Sequence, residues 1–142
     1  MIGGLRSMIR RLSGAFTGGV VGILAESVVL WVLGKAGIMH MLQVTLKQNM
    51  SDAWLCQWMI WGGAWMLLLV LPLWEEKSFL RGCAFSLLPS AFLFFMMFPG
   101  MGKGMLGLGY GMLTPVVVII LNCIFGIVAA LWFKMTVKLS LK

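Results

Sequence analysis

The sequence predicts an all-α, polytopic membrane protein with four transmembrane helices, and three observations carry that prediction. Of its 142 residues, 61% are hydrophobic and 11% charged, whereas soluble domains are nearer half apolar and one quarter charged. Mean hydropathy is +1.02, more apolar matter than one small water-soluble core can hide. The apolar residues fall into four runs, at 12–33, 53–74, 78–98 and 112–133. Each run has about the twenty residues that cross roughly 30 Å of hydrocarbon at 1.5 Å per residue. This balance excludes a disordered chain and a disulfide scaffold, and residues 1–142 read as a single transmembrane domain.

The first run, 12–33, follows Arg6, Arg10 and Arg11. A basic segment before an apolar stretch also describes a secretory leader. The length of the run, Glu26 inside it and the want of a clean small-x-small site make it a retained helix instead. In the linker, 34–52, the stretch 38–46 has helical apolar spacing and is expected to lie along the interface as a short amphipathic helix. Asn49, Ser51 and Asp52 offer side-chain oxygens to cap the second helix, 53–74, which has Pro72 near its end. Glu75-Glu76-Lys77 makes a charged turn into the third run, 78–98. There Pro89 removes a backbone hydrogen bond and predicts a kink.

The glycine-dense segment 100–111 predicts a tightly packed hairpin or re-entrant turn. Its Gly100-Met101-Gly102-Lys103-Gly104 lacks both the spacing and the Ser/Thr of a phosphate-cradling loop. Gly107 and Gly111 have the spacing to begin the fourth helix early, and Tyr110 sits where it can anchor at the interface or face a site. The fourth run, 112–133, has Pro115 in its first turn, where proline is tolerated.

Net charge is +7, from 11 Lys and Arg against 4 Asp and Glu. Basic residues mark the cytoplasmic side of a membrane protein. Arg6, Arg10, Arg11, Lys77, Arg81, Lys134, Lys138 and Lys142 share one side, and Lys35, Lys47 and Lys103 the other. Both termini are therefore expected in the cytoplasm, with a bacterial inner membrane as the expected setting. No basic stripe interleaved with aromatics lies outside the apolar runs, so nucleic acid is not an expected partner. The expected partners are the lipid bilayer and either further copies of the chain or a larger membrane complex.

The sharpest pattern is in the first helix. Gly14, Gly18, Gly22 and Glu26 are four apart and share one face, with Gly19 widening the groove. Small residues at that spacing let a second helix approach closely, within the chain or between copies. The same face carries Glu26 into the contact. A lone carboxylate in hydrocarbon costs roughly 2.5–3.5 kcal/mol on insertion scales. It reads either as a proton- or cation-binding group or as a neutral acid hydrogen-bonded to a neighbouring helix. No Lys, Arg or His is expected within the membrane as its built-in partner.

Gln57 and Asn122 are the amides that can join it, and each has the alternative of an interhelical hydrogen bond worth about 0.6 kcal/mol. Asn122, Gly126 and Ala130 repeat the four-residue spacing, which turns Asn122 towards another helix. Trp54, Trp58, Trp61 and Trp65 fall within a stripe of roughly 60° at 100° per residue. They form either an aromatic wall for an organic cation or a packing ridge.

Met39-His40-Met41 is a local set with the soft ligands that suit Cu(I), although methionine also fills apolar surfaces. Cys56, Cys83 and Cys123 are expected at different depths, as packing residues with no disulfide or zinc spacing. No nucleophile–base set or carboxylate pair appears, so neither an enzyme nor a cofactor is expected.

Ile23-Leu24-Ala25-Glu26, preceded by glycines on a first helix, resembles the opening of the small multidrug resistance transporters. These are four-helix proteins whose first-helix glutamate exchanges protons for organic cations. The resemblance covers only those few residues and implies one role, Glu26 as the proton- and substrate-binding carboxyl. From the residues themselves, the leading expectation is a small membrane protein acting through helix–helix association, as an accessory subunit or homo-oligomer. The alternatives are a proton-coupled carrier of a small cation, using Glu26 and the tryptophan wall, and copper handling at the outer face.

Overall fold

The computed structural model describes residues 1–46 and 51–139, all helix, turn and loop with no strand among them. Helix α1 is Ile2–Lys35, α2 is the single turn Ile38–Met41, and α3 is Asp52–Met66 with a 3-10 turn, Leu67–Val70, at its end. Helix α4 is Ser78–Phe92, followed by a π-helical stretch Leu93–Met97 and the short α5, Phe98–Gly100. After tight turns over Met105–Tyr110 comes α6, Thr114–Leu139. Four helical stretches are long and apolar enough to cross a membrane: Ile2–Lys35, Asp52–Val70, Ser78–Gly100 and Thr114–Lys138.

The boundaries move for physical reasons. Helix α1 begins at Ile2 rather than near residue 12, because hydropathy stops at arginine whereas helix propensity does not. The second span ends at Val70, with Leu71 extended, as the residue before Pro72 must be. Pro89 does lie inside α4. Helix α6 starts at Thr114, so Gly107 and Gly111 belong to the loop before it.

Packing follows the small residues. Helix α6 is central, with α1 on one side and α4 on the other, and α3 leans on α1. A methyl group at Gly18 would sit 2.8 Å from the Ala129 carbonyl oxygen, and one at Gly22 would sit 2.6 Å from that of Phe125. At Gly14 the obstacle is the Thr136 hydroxyl, 2.6 Å away. These three contacts run antiparallel along α6. On the adjacent face, Gly19 meets the backbone of Gly62 on α3, and Gly82 of α4 meets that of Gly126. The glycine stripe is thus occupied inside the chain.

Residues 38–46 do not form the expected interfacial helix. Only Ile38–Met41 is helical, and Met39 and Val44 are buried with Val117 and Leu121 of α6. Thr45 donates both its backbone N–H (2.7 Å) and its hydroxyl (3.0 Å) to the Tyr110 carbonyl. The linker is therefore strapped onto the glycine-rich segment. That segment is irregular backbone packed on protein: Gly107 has φ +70° and lies against the Phe98 ring, where a side chain would fit neither the torsion nor the space. Ser51 caps α3 by accepting from the Trp54 N–H at 3.3 Å, whereas Asn49, with Lys47 and Lys142, lies outside the described residues.

Arg81 lies at the same corner as Arg11, but it is buried. It is 4% exposed and donates through Nη2 to the Leu69 carbonyl and, at 2.6 Å, to the Leu71 carbonyl. Its guanidinium lies 5.3 Å from the centre of the Phe133 ring. It ties off the carbonyls freed where the α3 stretch ends. Arg11 fastens the same corner, with Nη2 at 2.8 Å from Glu75 Oε1 and 3.2 Å from the Val70 carbonyl. Removing Arg81 from the count leaves the excess of basic residues on that side.

Candidate functional site

One turn beyond the Gly22–Phe125 contact, a cavity opens beside α1 and α6. The antiparallel pairing that sets Gly22 against Phe125 puts Glu26 and Asn122 next in line, and both line a cavity of about 700 Å³. Such a volume lies within the roughly 300–1,000 Å³ of small-molecule sites. Helix α3 contributes Trp54, Gln57, Trp58, Trp61 and Trp65 to its wall. The structure therefore brings together the carboxyl, both amides and the whole tryptophan stripe that the sequence singled out.

Their geometry is that of a single acid facing aromatic rings. Glu26 is half-buried, and among the described residues no hydrogen bond or ion pair reaches its carboxylate. Arg81, the buried cation, is engaged at the far end of α4 with the Leu69 and Leu71 carbonyls. Asn122 is 5% exposed and donates Nδ2 to the Val118 carbonyl at 3.0 Å within its own helix, and among the described residues it makes no interhelical amide bond. Trp54 and Trp58 lie 5.6 Å apart in tilted contact. Trp61 stacks on Phe92 of α4 at 5.8 Å, and Trp65 meets the same ring at 5.8 Å.

Sequence reasoning passed over Phe92, Met96 and Met97 as lining residues. Nothing distinguishes an aromatic or a methionine inside a long apolar run. The available signal was Pro89: the π-helical stretch Leu93–Met97 follows it by one turn, and such bulges concentrate at functional sites. Tyr110 lines the cavity as well, with Phe98 at 5.7 Å and the Lys103 ammonium 5.0 Å from its ring centre.

The remaining candidates do not converge. Met39 is 6% exposed in the α6 contact, while Met41 is 80% exposed and His40 points to the surface. Among the described residues no group of three or more His, Cys, Asp or Glu side chains gathers either. The cysteines depart from expectation in the other direction. Cys83 and Cys123 are close enough to interact, and the Ser86 hydroxyl donates to Cys123 Sγ at 3.9 Å. Helix α6 overruns the start of α4, since Arg81 stacks on Phe133 while α6 continues to Leu139. That offset brings the middle of α6 level with the first turns of α4. Compared with protein-family models, with curated proteins and with solved structures, the chain matches none.

Proposed function

We propose that the protein is a proton-coupled membrane carrier of a small organic cation, bound in the cavity between Glu26 and the tryptophans of α3. The carrying observation is the convergence of one unpartnered carboxyl with Trp54, Trp58, Trp61 and Trp65 around a single 700 Å³ space. A carboxylate in a low-dielectric setting is strongly drawn to a counter-charge. Ring faces within about 6 Å favour a weakly hydrated cation over a hydrated one. With the cavity empty, the carboxyl is satisfied by a proton; the incoming cation replaces that proton, and the two are exchanged. Gln57 and Asn122 supply the polar contacts that orient the bound head.

The rival reading, action by association, rested on the glycine face, and Gly14, Gly18, Gly22 and Gly126 are all covered by α6 or α4 of the same chain. The excess of Arg and Lys at the end where Arg11 meets Glu75 supports termini on the cytoplasmic side.

The test is equilibrium binding of decyltrimethylammonium to the purified chain in lipid nanodiscs, read by tryptophan fluorescence. Glu26→Gln is expected to weaken it by roughly tenfold or more, because even at an effective dielectric of about 20 the lost charge pair is worth several kcal/mol. Equal affinity in the two proteins would refute the role of Glu26.

A further inference from the structure

Helix α1 is longer than a membrane crossing requires. Its 34 residues extend about 51 Å at 1.5 Å per residue, against roughly 30 Å of hydrocarbon. Arg11 marks the inner boundary: it bonds Glu75, in the turn between two spans, and the Val70 carbonyl, where the second span ends. Residues 2–10 therefore run on beyond the bundle, still helical. Every residue from 1 to 10 is exposed, and a methyl group at Gly3 or Gly4 would meet nothing within 4 Å.

The overhang is two-sided. At 100° per residue, Ile2, Leu5, Met8, Ile9 and Leu12 fall within about 120° of one another, while Arg6, Ser7, Arg10 and Arg11 occupy the rest of the circle. Ile2, Leu5, Met8 and Ile9 are each more than half exposed, so the bundle leaves this apolar stripe uncovered. The charge is of one sign. No Asp or Glu occurs among residues 1–25, and Lys134 and Lys138 flank Thr136, which faces Gly14 at the same end. A basic face backed by an apolar stripe suits a helix lying in the interface plane. A second copy fits poorly, because two such segments would set arginine against arginine with no acid between them. A bilayer surface supplies both complements at once, acyl chains for the stripe and phosphates for the guanidinium groups.

We infer that residues 1–12 form a surface anchor whose partner is anionic phospholipid, with Ile2, Leu5, Met8 and Ile9 among the acyl chains and Arg6 and Arg10 at lipid phosphates. The inference rests on the four crossings and not on the carrier reading. To lie flat, the segment turns away from the axis of α1, and Ser13-Gly14 is the place for that turn. Sharp kinks concentrate at Gly/Ser pairs. The Thr17 hydroxyl also donates to the Ser13 carbonyl at 2.8 Å, a back-bond of the kind that bends helices. From Gly14 onward the helix is held by Thr136 and the rest of α6, so the bundle is undisturbed. Each basic side chain near an anionic surface favours attachment by about fivefold, an effect that falls off within a Debye length.

Two measurements on the full chain in nanodiscs test the anchor. The first uses spin labels at Leu5→Cys, on the stripe, and at Ser7→Cys, on the basic face, in a background with Cys56, Cys83 and Cys123 changed to Ser. Accessibility to oxygen, which concentrates in lipid, is compared with accessibility to a water-soluble nickel chelate. In discs rich in phosphatidylglycerol, the oxygen-to-chelate ratio at position 5 should exceed that at position 7 by roughly tenfold. Discs of phosphatidylcholine alone should lose most of that contrast. Equal ratios at the two positions in the anionic discs would place the segment in water and overturn the inference. The same contrast in both lipids would overturn anionic lipid as the partner, and contrast seen only with two copies per disc would assign the stripe to self-association instead.

The second measurement needs no label or substitution. Trypsin cuts after Arg6 only when the segment leaves the surface, so cleavage of the native chain in phosphatidylglycerol-rich discs should be slower by roughly tenfold than in phosphatidylcholine discs. High salt should remove most of the difference by screening the arginines. Leu5→Ser with Ile9→Ser, which leaves every cleavage site and charge in place, should restore fast cleavage in the anionic discs. Equal rates for the native chain in the two lipids, or a double variant as protected as the native chain, would overturn the anchor.

Discussion

Glycine-to-alanine substitutions along α1 give a graded test of the packing that creates the cavity. At Gly22 the new methyl would stand 2.6 Å from the Phe125 carbonyl oxygen and 2.7 Å from its ring. Ordinary contact begins at 3.4 Å, so α1 and α6 must part by roughly 0.8 Å. Gly18 meets the Ala129 carbonyl oxygen at 2.8 Å, which calls for about 0.6 Å. Neither obstacle can turn aside, because both are backbone. Overpacking of this kind costs typically 1–3 kcal/mol. At Gly14 the first obstacle is the Thr136 hydroxyl at 2.6 Å, a side chain that can rotate, so the cost should fall below about 1 kcal/mol.

Gly34, with nothing within 4 Å, is the control. Alanine there should be neutral or stabilising by up to about 1 kcal/mol, through the better helix propensity. Unfolding in mixed micelles with increasing dodecyl sulfate, followed by far-ultraviolet circular dichroism, measures all four. The expected order of destabilisation is Gly22 and Gly18 well above Gly14, with Gly34 at or below zero. A Gly22→Ala protein as stable as Gly34→Ala would refute the α1–α6 contact, and with it the position of Glu26.

Two further predictions concern the rest of the bundle. Arg81→Met leaves the Leu69 and Leu71 carbonyls without their donor, and should cost about 3 kcal/mol in the same unfolding measurement, twice the usual 1.5 kcal/mol lower bound for a charged hydrogen bond; loss below about 0.5 kcal/mol would mean that the guanidinium is solvated. Cys83 and Cys123 should couple to one disulfide when the folded protein is treated with a disulfide such as dipyridyl disulfide, releasing two equivalents of thiopyridone as both thiols are oxidised, beside the one released by exposed Cys56 as its pyridyl adduct forms. A Cys83→Ser variant would then retain a pyridyl adduct or free thiol at Cys123 by mass spectrometry, and absence of the Cys83–Cys123 link in the native sequence would contradict their proximity.

The four spans were legible because crossing a bilayer imposes a length and a composition that any window of sequence displays. The lining residues were legible one by one for the same kind of reason. Glu26 stands out because acids are expensive in lipid, and the tryptophans stand out because offsets of four and three residues hold them to one face. What sequence did not contain was the relative height of the helices. Arg81 lies close to Lys77 in the chain, and only the ending of the second span beside it shows that it is buried on the Leu69 and Leu71 carbonyls. Cys83 and Cys123 were separated by counting inward from each run's end, and the overrun of α6 to Leu139 cancels that difference. Phe92 carried no mark beyond the nearby Pro89, since its contacts with Trp61 and Trp65 depend on how α3 and α4 meet.

Exchange across a sealed membrane is the most direct check on the carrier reading. Liposomes holding the purified protein and a lumenal pH dye are set with an acidic interior, and decyltrimethylammonium is added outside. The carrier account predicts that the lumen turns alkaline faster than in protein-free liposomes, and that Glu26→Gln abolishes the difference. Alkalinisation at the native rate in the Glu26→Gln protein, or none above protein-free liposomes in the native one, would contradict it.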